Sequence, residues 1–277
     1  MRYIVDHDLH IHSKISPCSR DDRQCKEAIL AYGLTNRFKL VGVTDHFWDL
    51  NVDYGDAPGW LDVGEERWRS ILPLPQSKEC RFLFGAEVDM NRHQTIGICE
   101  RTLGMMDYTL ISTGHLHLKN FVTDVSKFPR TPEFVKEYYL GRLKAFLAHE
   151  EYPFERMGMT HFHSCIIGED KLVQTLGLFS DEELEELFAD AARKGVGVEL
   201  NAESIPNNPE VLEAVLRPYQ IAKNQGCKFY LAGDAHHPET FRITKEMFEH
   251  WVDLLGLQES DKWPFVTEQI EKLSAGN

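Results

Sequence analysis

Short apolar runs rich in β-branched and aromatic residues alternate along the chain with longer stretches of helical periodicity. The apolar runs predict seven strands, at Tyr3–Leu9, Leu40–Thr44, Phe82–Val88, Tyr108–Thr113, Met157–Thr160, Val196–Leu200 and Lys228–Ala232. The longer patterns predict helices, among them Arg23–Asn36, Pro132–His149, Asp181–Lys194 and Pro209–Asn224. This alternation predicts an α/β fold of parallel strands and crossover helices, and seven strands in 277 residues favour a closed or nearly closed barrel.

Local signals support these boundaries. Ser180 followed by Glu183 is typical of a capping box at a helix start, and Gly195 and Gly226 stand where helices are expected to end. The chain contains no internal repeat and no Pro/Gly-rich linker, so we expect a single domain over residues 1–277. The weakly patterned stretch Phe47–Gly59 is expected to form a loop over the mouth of the barrel.

Composition narrows the range of partners. The formal net charge of −14 argues against nucleic acid, because a nucleic-acid surface needs clustered Lys and Arg. No apolar stretch approaches the roughly 20 residues that span a bilayer, and the first residues lack the apolar run of a signal peptide. We therefore expect a cytoplasmic protein without a membrane partner. The six cysteines are scattered and form no C-x-x-C pair, which is typical of reduced thiols.

Metal-capable side chains follow every predicted strand. They lie in the segments Asp8–His12, Asp45–His46, Glu87–Asp89, His115–His117, His161–His163, Glu199–Asn201 and Asp234–His237. Because the carboxyl ends of barrel strands meet at one face, where active sites are built, these side chains predict a single metal centre. Imidazole and carboxylate ligands together suit Zn²⁺, Mn²⁺ or Fe²⁺ better than Ca²⁺ or Mg²⁺.

Alternation of side chains along a strand refines this prediction. Residues two apart point to the same side, so His10 with His12, Asp234 with His236, and His161 with His163 are expected to share a face. His7 has the opposite parity to His10 and is expected to have a structural role.

These motifs, in their order, carry a resemblance. The H-x-H at residues 10–12, T-D-H at 44–46, G-A-E-V-D at 85–89, the later isolated histidines and G-D-A-H at 233–236 together resemble the PHP (polymerase and histidinol phosphatase) family of metal-dependent phosphoesterases. The resemblance spans nearly the whole chain, from Asp8 to His236. It implies a distorted seven-stranded (β/α)7 TIM-like barrel with a trinuclear metal cluster at the carboxyl ends of the strands.

The resemblance also implies a ligand set. One metal would be held by His10, His12, Glu87 and Asp234, a second by Glu87, His115 and His161, and a third by His46 and His236. The family usually completes the third site with a His or Asp six positions after the second histidine of the opening motif, where this chain has Cys18. Cys18 either ligates as a thiolate, which favours Zn²⁺, or leaves the third site weak or completed by water. We therefore expect two to three divalent transition metals, Zn, Mn or Fe.

Other residues are candidates for the remaining chemistry. A leaving alkoxide needs a proton, which His117, His163 or His237 can supply. Phosphate attracts cationic side chains, and the candidates on predicted mouth loops are Lys14, Arg20, Arg92 and Lys119. Asp45 is expected to orient an imidazole. Glu199 and Asn201 are expected either to form a hydrogen-bonded pair at the barrel rim or to support the ligands from behind, rather than to bind metal themselves. A thiol nucleophile at Cys165 is disfavoured, because a metal hydrolase needs none.

The leading functional hypothesis is hydrolysis of a small phosphorylated metabolite by a metal-activated water, with histidinol phosphate as one candidate. One alternative is a metal-dependent amidohydrolase-type enzyme that cleaves C–N or carboxyl-ester bonds on a similar barrel. Another is a metal-holding module without activity, against which the nearly complete ligand set argues. The substrate and the oligomeric state stay open, since substrate choice depends on the shapes of loops.

Overall fold

Parallel strands form the centre of the fold in the computed structural model, which describes residues 1–55, 63–124, 131–163 and 169–275. The strands are β1 (His7–Asp8), β2 (Leu40–Val43), β3 (His46–Phe47), β4 (Arg81–Asp89), β5 (Tyr108–Ser112), β6 (Met157–Thr160), β7 (Gly197–Asn201) and β8 (Lys228–Ala232). Their order in the sheet is β1-β2-β4-β5-β6-β7-β8, and the short β3 pairs with the second half of β4. All seven predicted strands are therefore present, and β3 is an addition.

Hydrogen bonds between β1 and β8 bring the two edges of the sheet together. The Leu9 amide donates to the Leu231 carbonyl at 2.9 Å, and the Asp234 amide donates to the His10 carbonyl at 2.6 Å. Ile11 then pairs in parallel with Ala235. The result is a nearly closed barrel of seven parallel strands with alternating helices, as predicted.

The helices lie between the strands along the chain. Their bounds are α1 (Lys26–Thr35), α2 (Glu65–Arg69), α3 (Glu100–Leu103), α4 (Pro132–Leu147), α5 (Glu169–Gly177), α6 (Asp181–Lys194), α7 (Pro209–Asn224), α8 (Thr244–Leu255) and α9 (Pro264–Ala275). The capping box of Ser180 and Glu183 is present, and Gly195 and Gly226 have φ values of 80° and 86°. None of the described helices is both long and apolar enough to cross a membrane.

Two predicted boundaries were wrong. The first strand was expected over Tyr3–Leu9, but β1 is much shorter, because the Tyr3 amide donates instead to the Leu257 carbonyl at 3.1 Å. The first helix begins at Lys26 rather than Arg23, because Asp21 accepts the Arg23 amide at 2.9 Å in a local turn.

The expected loop Phe47–Gly59 lies partly outside the described residues. Its described part has no helix or strand after Phe47, and the Trp48 and Tyr54 rings stack with their centroids 4.7 Å apart. A loop over the barrel mouth stays a prediction.

The amino-terminal half of the barrel interior is filled with apolar side chains. Leu40, Leu83, Tyr108, Leu110 and Tyr230 form one buried cluster, to which Trp263 and residues of α9 also belong. Gly42 makes room for this packing, because a Cβ atom there would lie 1.9 Å from Tyr108 Oη. Apolar filling leaves only the carboxyl-terminal end of the barrel for polar side chains.

This packing predicts that Gly42→Ala lowers the free energy of unfolding by about 1–3 kcal/mol, since the new methyl group displaces Tyr108. Gly177→Ala in α5 is the matched control, because its new Cβ has no atom within 4 Å among the described residues. We expect the control to be neutral or to stabilise by up to about 1 kcal/mol. Urea unfolding followed by circular dichroism measures both, and equal effects would contradict the description of a filled barrel.

Candidate metal centre

Ligand-capable side chains from successive strand ends converge at the carboxyl end of the barrel. They form overlapping groups of three residues, with the potential ligand atoms of each group within 4.8 Å of one another. We call the set the histidine–carboxylate cluster; its members are His10, His12, Cys18, His46, Glu87, Asp89, His115, His161, Asp234 and His236. The structure thus brings together every residue named as a candidate metal ligand from the sequence. It adds Asp89, which lies two residues after Glu87 on β4 and so shares its face.

Glu87 lies at the middle of the cluster and is fully buried. Its Oε1 is 2.9 Å from His161 Nε2 and 3.3 Å from His115 Nε2. Its Oε2 is 3.3 Å from His12 Nε2, 3.3 Å from His46 Nδ1 and 3.5 Å from His10 Nε2. Because the two oxygens face different histidines, this carboxylate would bridge cations held between them.

Hydrogen bonds from the far side of two imidazole rings fix their orientation. His10 Nδ1 donates to Glu199 Oε1 at 2.6 Å, and His115 Nδ1 donates to Asp89 Oδ1 at 2.6 Å. In each ring Nδ1 carries a proton, since a carboxylate only accepts, and Nε2 is the nitrogen that faces the cluster. Glu199 also accepts the backbone amide of His161 at 2.7 Å and therefore positions two members of the cluster.

The donor set fits divalent cations. Glu87 Oε2, Asp89 Oδ2 and Asp234 Oδ1 are buried and accept no hydrogen bond from the residues that the structure describes. His10 Nε2 and His12 Nε2 lie 3.2 Å apart, close enough for their lone pairs to share one cation. Buried carboxylate oxygens without donors are costly, whereas bound cations would satisfy them.

The electrostatic environment favours the ionised carboxylates. Burial opposes ionisation of the Glu87 carboxyl, but the imidazoles of His115, His46 and His10 hold its pKa well below the usual range. Burial also opposes ionisation of Asp234, and the neighbouring His10 and His161 hold its pKa well below the usual range. Both groups are anionic and available as ligands.

Two members of the cluster have a backbone conformation that departs from the extended geometry of the strands before them. His161 after β6 has φ 57° and Asp234 after β8 has φ 51°, in the left-handed region that residues other than glycine rarely adopt. Such conformations are concentrated at functional sites, because the surrounding structure must maintain them.

This geometry overturns the expectation that His161 and His163 share a face, because the alternation of a strand stops at His161. His163 Nε2 donates to the Ser204 carbonyl and its Nδ1 accepts from Tyr219 Oη, both at 3.0 Å. Burial lowers the pKa of His163 to about 4, so the ring is neutral. The structure does not bring His163 into the cluster.

Asp8 ties together the backbone on both sides of the barrel closure. Its Oδ1 accepts the Gly233 amide at 2.8 Å and the His10 amide at 3.2 Å, and its Oδ2 accepts Tyr32 Oη at 2.9 Å. A Cβ at residue 233 would lie 2.5 Å from Asp8 Oδ2, so only glycine fits directly before Asp234. Sequence reasoning missed this role, although Asp8 precedes the H-x-H motif.

Arg142 of α4 is a second supporting residue that sequence reasoning missed. Its buried guanidinium donates to the carbonyls of Met90, Asn91 and Thr113. It thereby joins the chain after β4 to the chain after β5, which leads to His115. A helix pattern alone gives no signal for such a contact.

The residues expected to have supporting roles differ in their hydrogen-bond partners. Asp45 does not orient an imidazole, because it accepts the Ser13 amide at 2.6 Å and Ser13 Oγ at 2.7 Å. Glu199 and Asn201 support members of the cluster instead of pairing with each other: Glu199 accepts His10 Nδ1 at 2.6 Å, and Asn201 Nδ2 donates to Asp234 Oδ2 at 3.4 Å. His7 is buried and has a structural role, since its Nε2 accepts the Leu231 amide at 3.0 Å.

The two other candidate proton donors lie at the edge of the cluster. His117 is exposed, and its ring centroid is 5.3 Å from that of His115. His237 is also exposed, with Nδ1 4.0 Å from Asp21 Oδ2. The disfavoured nucleophile Cys165 lies outside the described residues.

The four candidate phosphate-binding cations differ in their surroundings. Arg92 donates through Nη1 to the Asn120 carbonyl at 3.1 Å. Lys14 lines a cavity of about 230 Å³ beside α1, whose lining contains no member of the cluster. Arg20 and Lys119 are exposed.

Comparison with known proteins shows which solved structure shares the fold. No family model and no curated protein matches the sequence. Among solved structures, histidinol phosphate phosphatase from Lactococcus lactis subsp. lactis Il1403, complexed with zinc, L-histidinol and phosphate, is 15% identical, with a TM-score of 0.63 over 93% of this chain and 98% of that chain.

Two further structures are more distant. An uncharacterized protein is 11% identical over 96% of this chain and 73% of its own, with a TM-score of 0.42. Ochratoxinase from A. niger is 11% identical over 98% and 71%, with a TM-score of 0.43. The likeness to the phosphatase is close enough to establish the fold, and at its level of identity it establishes nothing beyond the fold. The chain therefore shares the barrel fold of that phosphatase over nearly its whole length, in agreement with the fold that the PHP resemblance implies.

Proposed function

We propose that this protein is a metal-dependent phosphoesterase that hydrolyses phosphomonoesters of small metabolites. The observation that carries the proposal is the position of Glu87, whose two buried oxygens face different histidines, two at Oε1 and three at Oε2. A bridging carboxylate of this kind suits hydrolases with closely spaced metals, which stabilise the attacking and leaving oxygens of a displacement. The phosphatase fold and the order of the motifs support the choice of a phosphate ester.

The proposed ligands are those that the PHP resemblance implies, and all of them lie in the cluster. His10, His12, Glu87 and Asp234 would hold one divalent ion, Glu87, His115 and His161 a second, and His46 and His236 a third. Zinc, manganese or iron would suit these donors, and two to three ions are proposed. Bound there, the ions would supply Lewis-acid activation of water and neutralise charge on phosphoryl oxygens.

The side chains at the cluster edge would complete the reaction. His117 and His237 are the proposed proton donors to the leaving alkoxide, because both are exposed, His117 beside His115 and His237 directly after His236. Partial burial and the neighbouring His115 lower the pKa of His117 to about 4, so this ring must take up a proton before it can act as the acid. His163 is the weakest, since both ring nitrogens are already engaged. Lys14, Arg20, Arg92 and Lys119 are all proposed for phosphate, without an order among them. Histidinol phosphate is the first substrate to test, because the similar phosphatase was solved with L-histidinol and phosphate.

The first prediction concerns metal content. We expect purified protein to contain two to three equivalents of zinc, manganese or iron by elemental analysis, and to hydrolyse p-nitrophenyl phosphate. Treatment with a chelator should abolish turnover, and adding metal back should restore it. Bound metal together with turnover of amides or carboxyl esters, but not of phosphate esters, would favour the amidohydrolase-type alternative. Folded, metal-supplemented protein with neither metal nor turnover would refute the proposal.

The second prediction tests the group that orients His10. Glu199→Gln weakens the acceptor for His10 Nδ1 and should lower metal affinity or activity about 10–100-fold. Glu185→Gln on α6 is the matched control, since Glu185 is exposed and distant in sequence from the cluster. Competition with a chromophoric chelator measures the affinity, and circular dichroism checks the fold. Equal affinities for the two variants would contradict the role of Glu199.

The third prediction concerns His117 as general acid. His117→Ala should lower kcat for an alkyl phosphate, whose leaving group needs a proton, by about 10²-fold or more. It should affect p-nitrophenyl phosphate much less, because p-nitrophenolate leaves without protonation. His250→Ala on α8 is the control for loss of an exposed histidine. The same loss for both substrates would assign His117 a different role.

A further inference from the structure

The edge of the cluster differs chemically from its centre. Cys18 Sγ lies with His12 and His236 in a group whose potential ligand atoms are within 4.8 Å of one another. This group contains sulfur and nitrogen donors, whereas each of the other groups includes a carboxylate. Cys18 is exposed and the His236 side chain is 28% exposed, so this group lies on the solvent side of the cluster.

We propose that the Cys18 thiolate joins His46 and His236 as a ligand of the third metal position, a subsite bordered by His12, and that the thiolate makes this subsite select zinc over manganese. The inference rests on the proposed function, because it specifies the third position of the proposed metal cluster. Thiolate ligands favour zinc and disfavour manganese, which prefers oxygen donors. The cluster would then hold chemically unequal ions, with the softest donor set nearest to solvent.

Hydrogen bonds and stacking fix the orientation of two imidazole rings at the subsite. His236 Nδ1 donates to the Asp234 carbonyl at 2.7 Å, which leaves Nε2 as its ligand atom. His12 stacks on His236 with the ring centroids 4.4 Å apart, and its Nδ1 is 3.2 Å from Ser16 Oγ. The buried Glu87 Oε2, which accepts no hydrogen bond from the described residues, lies 3.3 Å from His12 Nε2. This second observation indicates that a cation belongs at this side of the cluster.

Three serines fix the turn that presents Cys18. Ser13 donates through its amide and its Oγ to Asp45, and the Ser16 amide donates to the Ser13 carbonyl at 3.0 Å. The Ser19 amide donates to the Ser16 carbonyl at 3.1 Å, and Ser19 Oγ donates to the His236 carbonyl at 2.8 Å. The turn is therefore tied to Asp45, between β2 and β3, on one side of Cys18 and to the subsite itself on the other, so the backbone that carries Cys18 is fixed by the chain's own hydrogen bonds.

Cobalt substitution of the full chain tests the subsite, because a Co²⁺–thiolate bond gives a near-ultraviolet charge-transfer band that nitrogen and oxygen ligands do not. We expect the band in the wild-type protein and in Cys25→Ser, the matched control for loss of a nearby thiol. Cys18→Ser should lose the band together with about one equivalent of bound metal. Cys18→Asp should lose the band but keep the equivalent, and should accept manganese there. His236→Ala should weaken or abolish the band.

Bound cobalt without the band, or a band that survives in Cys18→Ser, would overturn the inference. If phosphate esters are hydrolysed by such a protein, the proposed function stands without the thiolate subsite. If the band appears but no phosphate ester is hydrolysed, the subsite stands and the proposed function fails. Folded protein that binds no cobalt would refute both.

Discussion

The structure depends on a carboxylate that is buried among imidazoles. Glu87 has no exposed surface, and five histidine rings of the cluster have a nitrogen within 3.5 Å of its oxygens. An ionised carboxylate in such surroundings costs several kcal/mol unless charges and hydrogen bonds compensate. A parallel barrel supplies that compensation, because every strand ends at the same face and can add a side chain to the centre. Apolar filling of the opposite end removes water from beneath the cluster and strengthens each interaction within it.

A ring of supporting groups makes the cluster rigid. Glu199 orients His10, Asp89 orients His115, and Arg142 joins the chain segments that follow two neighbouring strands. Asp8 does the same at the closure of the barrel, where it accepts amides from both sides. These partners belong to four different strands or helices and their flanking segments. The direction of each imidazole is therefore a property of the assembled barrel rather than of the local sequence.

The cluster is asymmetric with respect to solvent. Its centre is buried and rich in carboxylates, whereas Cys18, His117 and His237 are exposed at its edge. In the part of the chain that the structure describes, these edge residues are the ones that face solvent beside the cluster. The fold itself is shared with a phosphatase at 15% identity. Such a low value suffices because burial pattern and strand-end chemistry specify the barrel, while loops determine what it accepts.

The sequence by itself determined the seven strands, the barrel and the membership of the cluster. These features follow from hydrophobic periodicity and from the rule that parallel strands end at one face, both of which are local patterns. Tertiary structure alone decided how each side chain is used. His163 was expected beside His161 but bonds to Tyr219, because a left-handed residue interrupts the alternation.

The same distinction applies to the supporting residues. Asp45 was expected to orient an imidazole, but it fixes the turn at Ser13 instead. Arg142 carried no sequence signal at all, since its three acceptors are backbone carbonyls of other segments. Positive φ values and hydrogen bonds between distant segments arise only when the barrel closes. A sequence pattern can therefore identify candidate ligands, whereas the groups that orient their side chains become apparent only in the folded chain.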